Sequence, residues 1–115
     1  MCEALIADVV RSGSPLRAVS LRYFNPVGAH ETAVIGELPI GRPQNLFPVI
    51  MQSAAGISGP VRVFGGDWST TDGSCVRDYI HVLDLAHAHV RSLDWLSKQG
   101  DRGQQAIFNV GTGKG

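Results

Sequence analysis

The run Leu21-Arg22-Tyr23-Phe24-Asn25-Pro26 carries an apolar, aromatic segment to an abrupt end at an Asn-Pro pair, and this ending limits the possible folds most. Pro26 disfavours helical angles at Asn25, so a strand arriving here cannot roll directly into a helix. The preceding residues, Ala18 to Phe24, have the apolar content of a buried strand. In open α/β sheets, ligands gather at the carboxyl ends of strands, where Tyr23, Phe24 and Asn25 would stand. They offer a flat apolar surface beside a carboxamide that can donate and accept. The alternative is a strand-end turn with two packing aromatics, the commoner use of such side chains.

Helical and extended patterns alternate around this strand. Met1 to about Ser12 has helical spacing, with Leu5 and Val9 one turn apart and Gly13 as a left-handed terminator. A loop with glycine and proline runs from Pro26 to Pro43. Leu46, Val49, Ile50 and Ala54 then recur at helical spacing, with Pro48 tolerable only in the first turn and an end near Gly56. Val61 to Phe64 reads as a short strand, Gly65 to Ser74 as a polar loop, and Cys75 to His81 as extended. Ala86, Val90, Leu93 and Leu96 form the apolar stripe of a third helix that stops by Gly100. Ala106 to Val110 is a strand feeding the glycine turn Gly111 to Gly115. The fold class is α/β. Both ends read as cut, the first element opening without a lead-in and the last turn leading nowhere, so the chain is expected to be an interior piece of a longer protein.

Charge and cysteine content exclude several functions. The 115 residues hold 10 Lys plus Arg against 10 Asp plus Glu, with no basic block to favour nucleic acid or an acidic membrane. No apolar run is long enough to span a bilayer. Cys2 and Cys75 match no metal or redox spacing, which fits free thiols in a reducing, cytoplasmic setting. His81, His87 and His89 lack the i, i+4 spacing of a helical metal pair, so no metal site is expected.

The second constellation is Cys75-Val76-Arg77-Asp78-Tyr79-Ile80-His81-Val82-Leu83-Asp84. An arginine in an apolar extended run needs a carboxylate or an anionic ligand, and its planar fork suits a phosphate. It could equally pair internally with Asp78 or Asp84. Asp84 reads as structural, at a helix start or on nearby backbone donors. The terminal Gly-Thr-Gly-Lys-Gly lacks the Walker and dinucleotide spacings and is taken as a turn. Glu37 and Asp67 to Asp72 are loop carboxylates that nothing pairs for acid–base work. The only lysines are Lys98 and Lys114, and neither lies four residues after a tyrosine. A Tyr-x-x-x-Lys dyad for proton transfer is therefore missing, and no catalytic residue is assigned.

Four blocks, LRYFNPVGAH, GELPIGRPQNLFP, VFGGDWSTTDGSCVRDYIHVLDLAHAHV and FNVGTGKG, resemble in order the successive motifs of the UDP-glucose 4-epimerases. These form a group within the extended short-chain dehydrogenase/reductase family. The resemblance implies a partial Rossmann-type parallel sheet (residues 1–30 the end of the Rossmann part) plus part of the C-terminal substrate-binding subdomain (mostly 31–115). It implies NAD as cofactor, a UDP-hexose as partner and a homodimeric full-length protein. The reaction it implies interconverts UDP-glucose and UDP-galactose through a 4-keto intermediate, with the catalytic tyrosine-lysine pair and the dinucleotide turn outside these residues.

Carried over position by position, Tyr23, Phe24 and Pro26 would line the cofactor. Asn25 would hydrogen-bond the UDP-sugar, Asn45 and Leu46 would stand near the diphosphate, and Arg62, Val63 and Phe64 would form the uracil-binding stretch. Arg77 would grip the diphosphate, which resolves its two readings toward a ligand. Leu38, Gln44 and Ser74 depart from the residues common in the family at their positions. A non-catalytic UDP-binding or interaction remnant, and a piece of another nucleotide-sugar epimerase or dehydratase, are the alternatives.

Overall fold

The computed structural model describes residues 1–114. Helix α1 (Cys2–Arg11) half-buries Glu3, Ile6, Ala7 and Val10, positions three and four apart that share one face. Leu5 and Val9, the pair that marks the helix in the sequence, lie on the exposed side. The helix closes at Gly13, whose φ of +89° is a left-handed turn that glycine enters without a Cβ penalty.

Strand β1 (Arg17–Tyr23) runs into β2 (Asn25–Val27) with one residue between them. β1 pairs in parallel with β4 (Gln104–Val110), in register from Arg17 opposite Gln104 to Tyr23 opposite Val110. β2 pairs in parallel with β3 (Tyr79–His81). The change of partner takes two successive residues: the Phe24 N–H donates to Val110 O at 3.2 Å and the Asn25 N–H to Asp78 O at 3.1 Å. Pro26, expected to open a loop, is instead the middle residue of β2, opposite Ile80. A proline without an N–H fits there because β2 has a ladder partner on one side only among the described residues.

Two other extended stretches are corrected. Val61 to Phe64 joins no ladder among the described residues, and a strand needs a neighbour to exist. Of Cys75 to His81, only Tyr79 to His81 is paired. β1, expected to be buried, is half-buried along most of its length, because β4 is its single ladder partner among the described residues.

Helix α2 (Leu46–Ala54) holds Pro48 in its first turn, where a missing N–H costs no helical bond, and gives way to Gly56 at φ +69°. Of the expected stripe of helix α3 (Val82–Ser97), Leu96 is half-buried, whereas Ala86, Val90 and Leu93 are exposed. Leu85, Ala88, Ser92, Trp95 and Leu96 are half-buried, whereas Val90 and Leu93 are 57% and 66% exposed. The helix is apolar on more than one side, and Trp95 selects the side. Its ring meets Phe108 of β4 edge-on, with centroids 6.1 Å apart and planes at 83°. At the far end of α3, the Arg17 guanidinium donates to the carbonyls of Leu96 and Gln99, filling acceptors that a helix end leaves open. Among the described residues Ile80 and Pro48 are the most deeply buried, and Pro48 lines the cavity described next.

Candidate functional site

A cavity of about 870 Å³ opens where Phe24, the strand β2 and the start of α2 converge. Phe24, Asn25, Pro26, Asn45, Leu46 and Arg77 all line it, although they come from three separate stretches of chain. Phe47 and Tyr79, also in its wall, meet edge-on with ring centroids 5.2 Å apart. Arg62 and Phe64 line a second cavity of about 500 Å³ with Arg42, Val49 and Gln52. Gln44 borders both. Tyr23, at the end of β1, and Val63, 81% exposed, line neither.

Asn45 is the residue before α2, with extended angles of φ −84° and ψ 148°. Its side chain does not cap the helix but donates from Nδ2 to Glu37 Oε1 at 3.2 Å. Among the described residues no side chain accepts from the first-turn N–H groups of α2, and this helix start, the positive end of its dipole, lies in the cavity wall.

Arg77 is exposed and makes no ion pair or side-chain hydrogen bond among the described residues. Neither proposed internal partner takes it. Asp84 sits in the first turn of α3, where a carboxylate suits the helix dipole. The actual cap of α3 is His81, whose Nδ1 accepts the Leu83 N–H at 3.2 Å. Asp78 is committed elsewhere. Its Oδ1 accepts the Thr112 N–H at 3.0 Å and the Thr112 hydroxyl at 2.7 Å, and its Oδ2 accepts the Gly113 N–H at 2.9 Å. These bonds, the Thr112 N–H foremost, hold its carboxyl below the usual aspartate range.

The Gly-Thr-Gly turn after β4 thus surrounds a side-chain carboxylate of its own chain. Gly111 is required for that approach: a Cβ there would lie 2.5 Å from Phe24 Cδ2 and 2.6 Å from Asp78 Oδ2. Asp78 also anchors Asn25, whose backbone N–H and Nδ2 both donate to its carbonyl oxygen, at 3.1 and 2.8 Å. Sequence reasoning missed Asp78, Thr112 and His81 as organisers of the site. The available signal was a donor-rich glycine turn closing a strand, which needs an acceptor from somewhere.

The family model described as the NAD dependent epimerase/dehydratase family matches residues 1–111. The chain belongs to this family. Among family members, the UDP-glucose 4-epimerase of Pasteurella multocida (strain Pm70) is 49% identical over 115 residues, which is all of this chain and 33% of that protein. The UDP-glucose 4-epimerase of Drosophila melanogaster is 49% identical over 113 residues, 98% of this chain and 32% of its own length. The chain spans about a third of the length of the curated relatives it matches.

Solved epimerase structures give the same fold. That of the UDP-glucose-4-epimerase from Stenotrophomonas maltophila, with bound NAD and formylated UDP-arabinopyranose, superposes with a TM-score of 0.91 at 53% identity. The match takes in 98% of this chain and 33% of that one. The enzyme from Bifidobacterium longum in complex with NAD+ and UDP gives 0.85 at 45% identity, over 96% of this chain and 32% of its own. The parallel α/β arrangement is the Rossmann-like architecture of these epimerases.

Proposed function

We propose that this chain forms the nucleotide-sugar-holding part of an NAD-dependent epimerase that interconverts UDP-glucose and UDP-galactose through a 4-keto intermediate. The observation that carries the reading is the free guanidinium of Arg77 in the wall of a cavity that also receives the uncapped start of α2. A fork of N–H donors beside a helix N-terminus suits a diphosphate. Asn45 and Leu46 stand at that same helix start. Arg62, Val63 and Phe64 take the uracil, with Arg62 and Phe64 in the smaller cavity, and Gln44 bridges the two halves of the ligand. That relatives' structures hold UDP or a UDP-sugar supports this assignment.

Residues 1–30 close the Rossmann part and 31–115 mostly serve the UDP-sugar. Tyr23, Phe24 and Pro26 face the cofactor side, and the flat surfaces of Phe24 and Pro26 in the larger cavity fit a planar ring. NAD, when bound, supplies a hydride acceptor and donor for C4 of the hexose. The residues of this chain hold the ligand by its nucleotide half, which leaves the hexose free to turn and offer either face of C4. No Tyr-x-x-x-Lys dyad occurs in the 115 residues, so the chain alone binds without turning substrate over. The full-length protein acts as a cytoplasmic homodimer.

Calorimetric titration of UDP into the intact protein tests the reading. Wild type is expected to bind, and Arg77→Ala to bind about 30-fold more weakly, the loss of one charge-assisted hydrogen-bonded contact. Unchanged UDP affinity in Arg77→Ala would remove the diphosphate assignment, and measurable epimerase turnover by the isolated 115-residue chain would contradict the division of labour.

A further inference from the structure

We infer that Asp78 is a positioning residue for the ligand clamp, pinned by the turn after β4 and in turn fixing Asn25 and Arg77 at the cavity wall. The inference rests on the UDP-binding reading above. Asp78 itself does not line the larger cavity, whereas Arg77, the residue before it, and Asn25, bonded to its carbonyl oxygen, both do.

The geometry is that of a residue held at both ends. The carboxylate receives the Thr112 N–H, the Thr112 hydroxyl and the Gly113 N–H. The carbonyl oxygen receives both donors of Asn25, at 3.1 and 2.8 Å. With side chain and main chain both anchored, the backbone of Asp78 is restricted, and so is the point from which the Arg77 side chain extends. Only the Arg77 side chain then remains to be ordered when an anion arrives. Less freedom lost on binding means tighter binding at the same contacts.

The anchor reaches beyond the cavity. Thr112 lines neither cavity, yet it anchors Asp78, whose carbonyl holds the Asn25 carboxamide and whose backbone carries Arg77. The site is also built to exclude alternatives: with Gly111 packed against Phe24 and the Asp78 carboxylate, no side chain fits at that position. The lowered pKa of Asp78 is consistent with a carboxylate kept ionised for this use.

The test measures UDP dissociation constants by calorimetry in the intact protein, well below the melting temperature of each variant. Asp78→Ala is expected to weaken UDP binding about tenfold, and Asp78→Asn less, because its one remaining oxygen still accepts from Thr112. Thr112→Val, which removes the hydroxyl donor of a residue that lines neither cavity, is expected to weaken binding about threefold, and Thr112→Ser, which restores it, to bind as wild type. In NMR spectra of Thr112→Val, the Asn25 side-chain amide resonances are expected to shift. A lowered melting temperature with unchanged UDP affinity in both Asp78→Ala and Thr112→Val, while Arg77→Ala still loses affinity, would overturn the inference and leave the nucleotide reading standing. If Asp78→Ala does not fold, Thr112→Val with wild-type affinity is enough to overturn it. Wild-type protein that binds no UDP would overturn the nucleotide reading itself.

Discussion

Glu37 accepts a hydrogen bond from the Asn45 side chain at 3.2 Å, tying the loop after β2 to the residue that opens α2. Both residues line the larger cavity, so a carboxylate stands beside the place assigned to a diphosphate. Its charge opposes that ligand, and its bond to Asn45 occupies a donor the ligand could use. Glu37→Gln is expected to tighten UDP binding about threefold, as one unit of like-charge repulsion in a solvated site is removed. Titration at low and moderate salt checks this, with the gain shrinking as salt rises.

Asn25 spends one Nδ2 hydrogen and its backbone N–H on Asp78 O, which leaves its side-chain oxygen for the cavity. Asn25→Asp places a carboxylate against that carbonyl and removes the side-chain donor. A loss of about 1–3 kcal/mol in unfolding free energy is expected, with weaker UDP binding. Chemical denaturation followed by circular dichroism measures the first and calorimetry the second.

Gly111 and Gly28 are among the glycines with no room for a side chain. Gly111→Ala would push against Phe24 and Asp78, and Gly28→Ala would bring a Cβ within 2.5 Å of His81 Nε2 at a φ of +93°. Each should cost about 1–3 kcal/mol, the usual penalty of overpacking. Gly13→Ala meets nothing within 4 Å and differs only in its positive φ, so it should cost less than either. Melting temperatures of the three variants give the ranking.

Asp78 and Asp72 are held below the usual aspartate range, the first by Thr112 and Gly113 and the second chiefly by the Ser74 hydroxyl and N–H. A carboxyl more acidic in the folded than in the unfolded chain stabilises fully above its unfolded pKa. That stability is lost as pH falls through the folded value. The melting temperature should therefore be flat near neutrality and drop through the acidic carboxylate range. The difference between wild type and Asp78→Asn should close over the same interval, and a constant difference down to acidic pH would refute the linkage.

What the sequence made legible was local. The end of α1 at Gly13, the first-turn place of Pro48, and β1 and β4 all follow from the angles and spacing of neighbouring residues. What stayed hidden depends on partners remote in sequence. Pro26 is in a strand only because Ile80 lies beside it, and Val61 to Phe64 has no such neighbour. The inward face of α3 was misjudged because both of its sides are apolar and a ring on β4 decides between them. Arg77 drew notice as a charge among apolar residues. Asp78, next to it, looked like its counter-ion, and nothing local announces that a turn 34 residues later claims the carboxylate.

The passage from β1 to β2 through Phe24 alone has a consequence for assembly of the fold. One unbroken length of backbone is the partner first of β4 and then of β3, so the two alignments are locked together. A slip of a single residue against β4 would turn every side chain downstream to the other face, swinging the Asn25 carboxamide to the opposite surface. Correct threading of β1 on β4 is thus a precondition for the placing of Asn25 in the wall of the larger cavity.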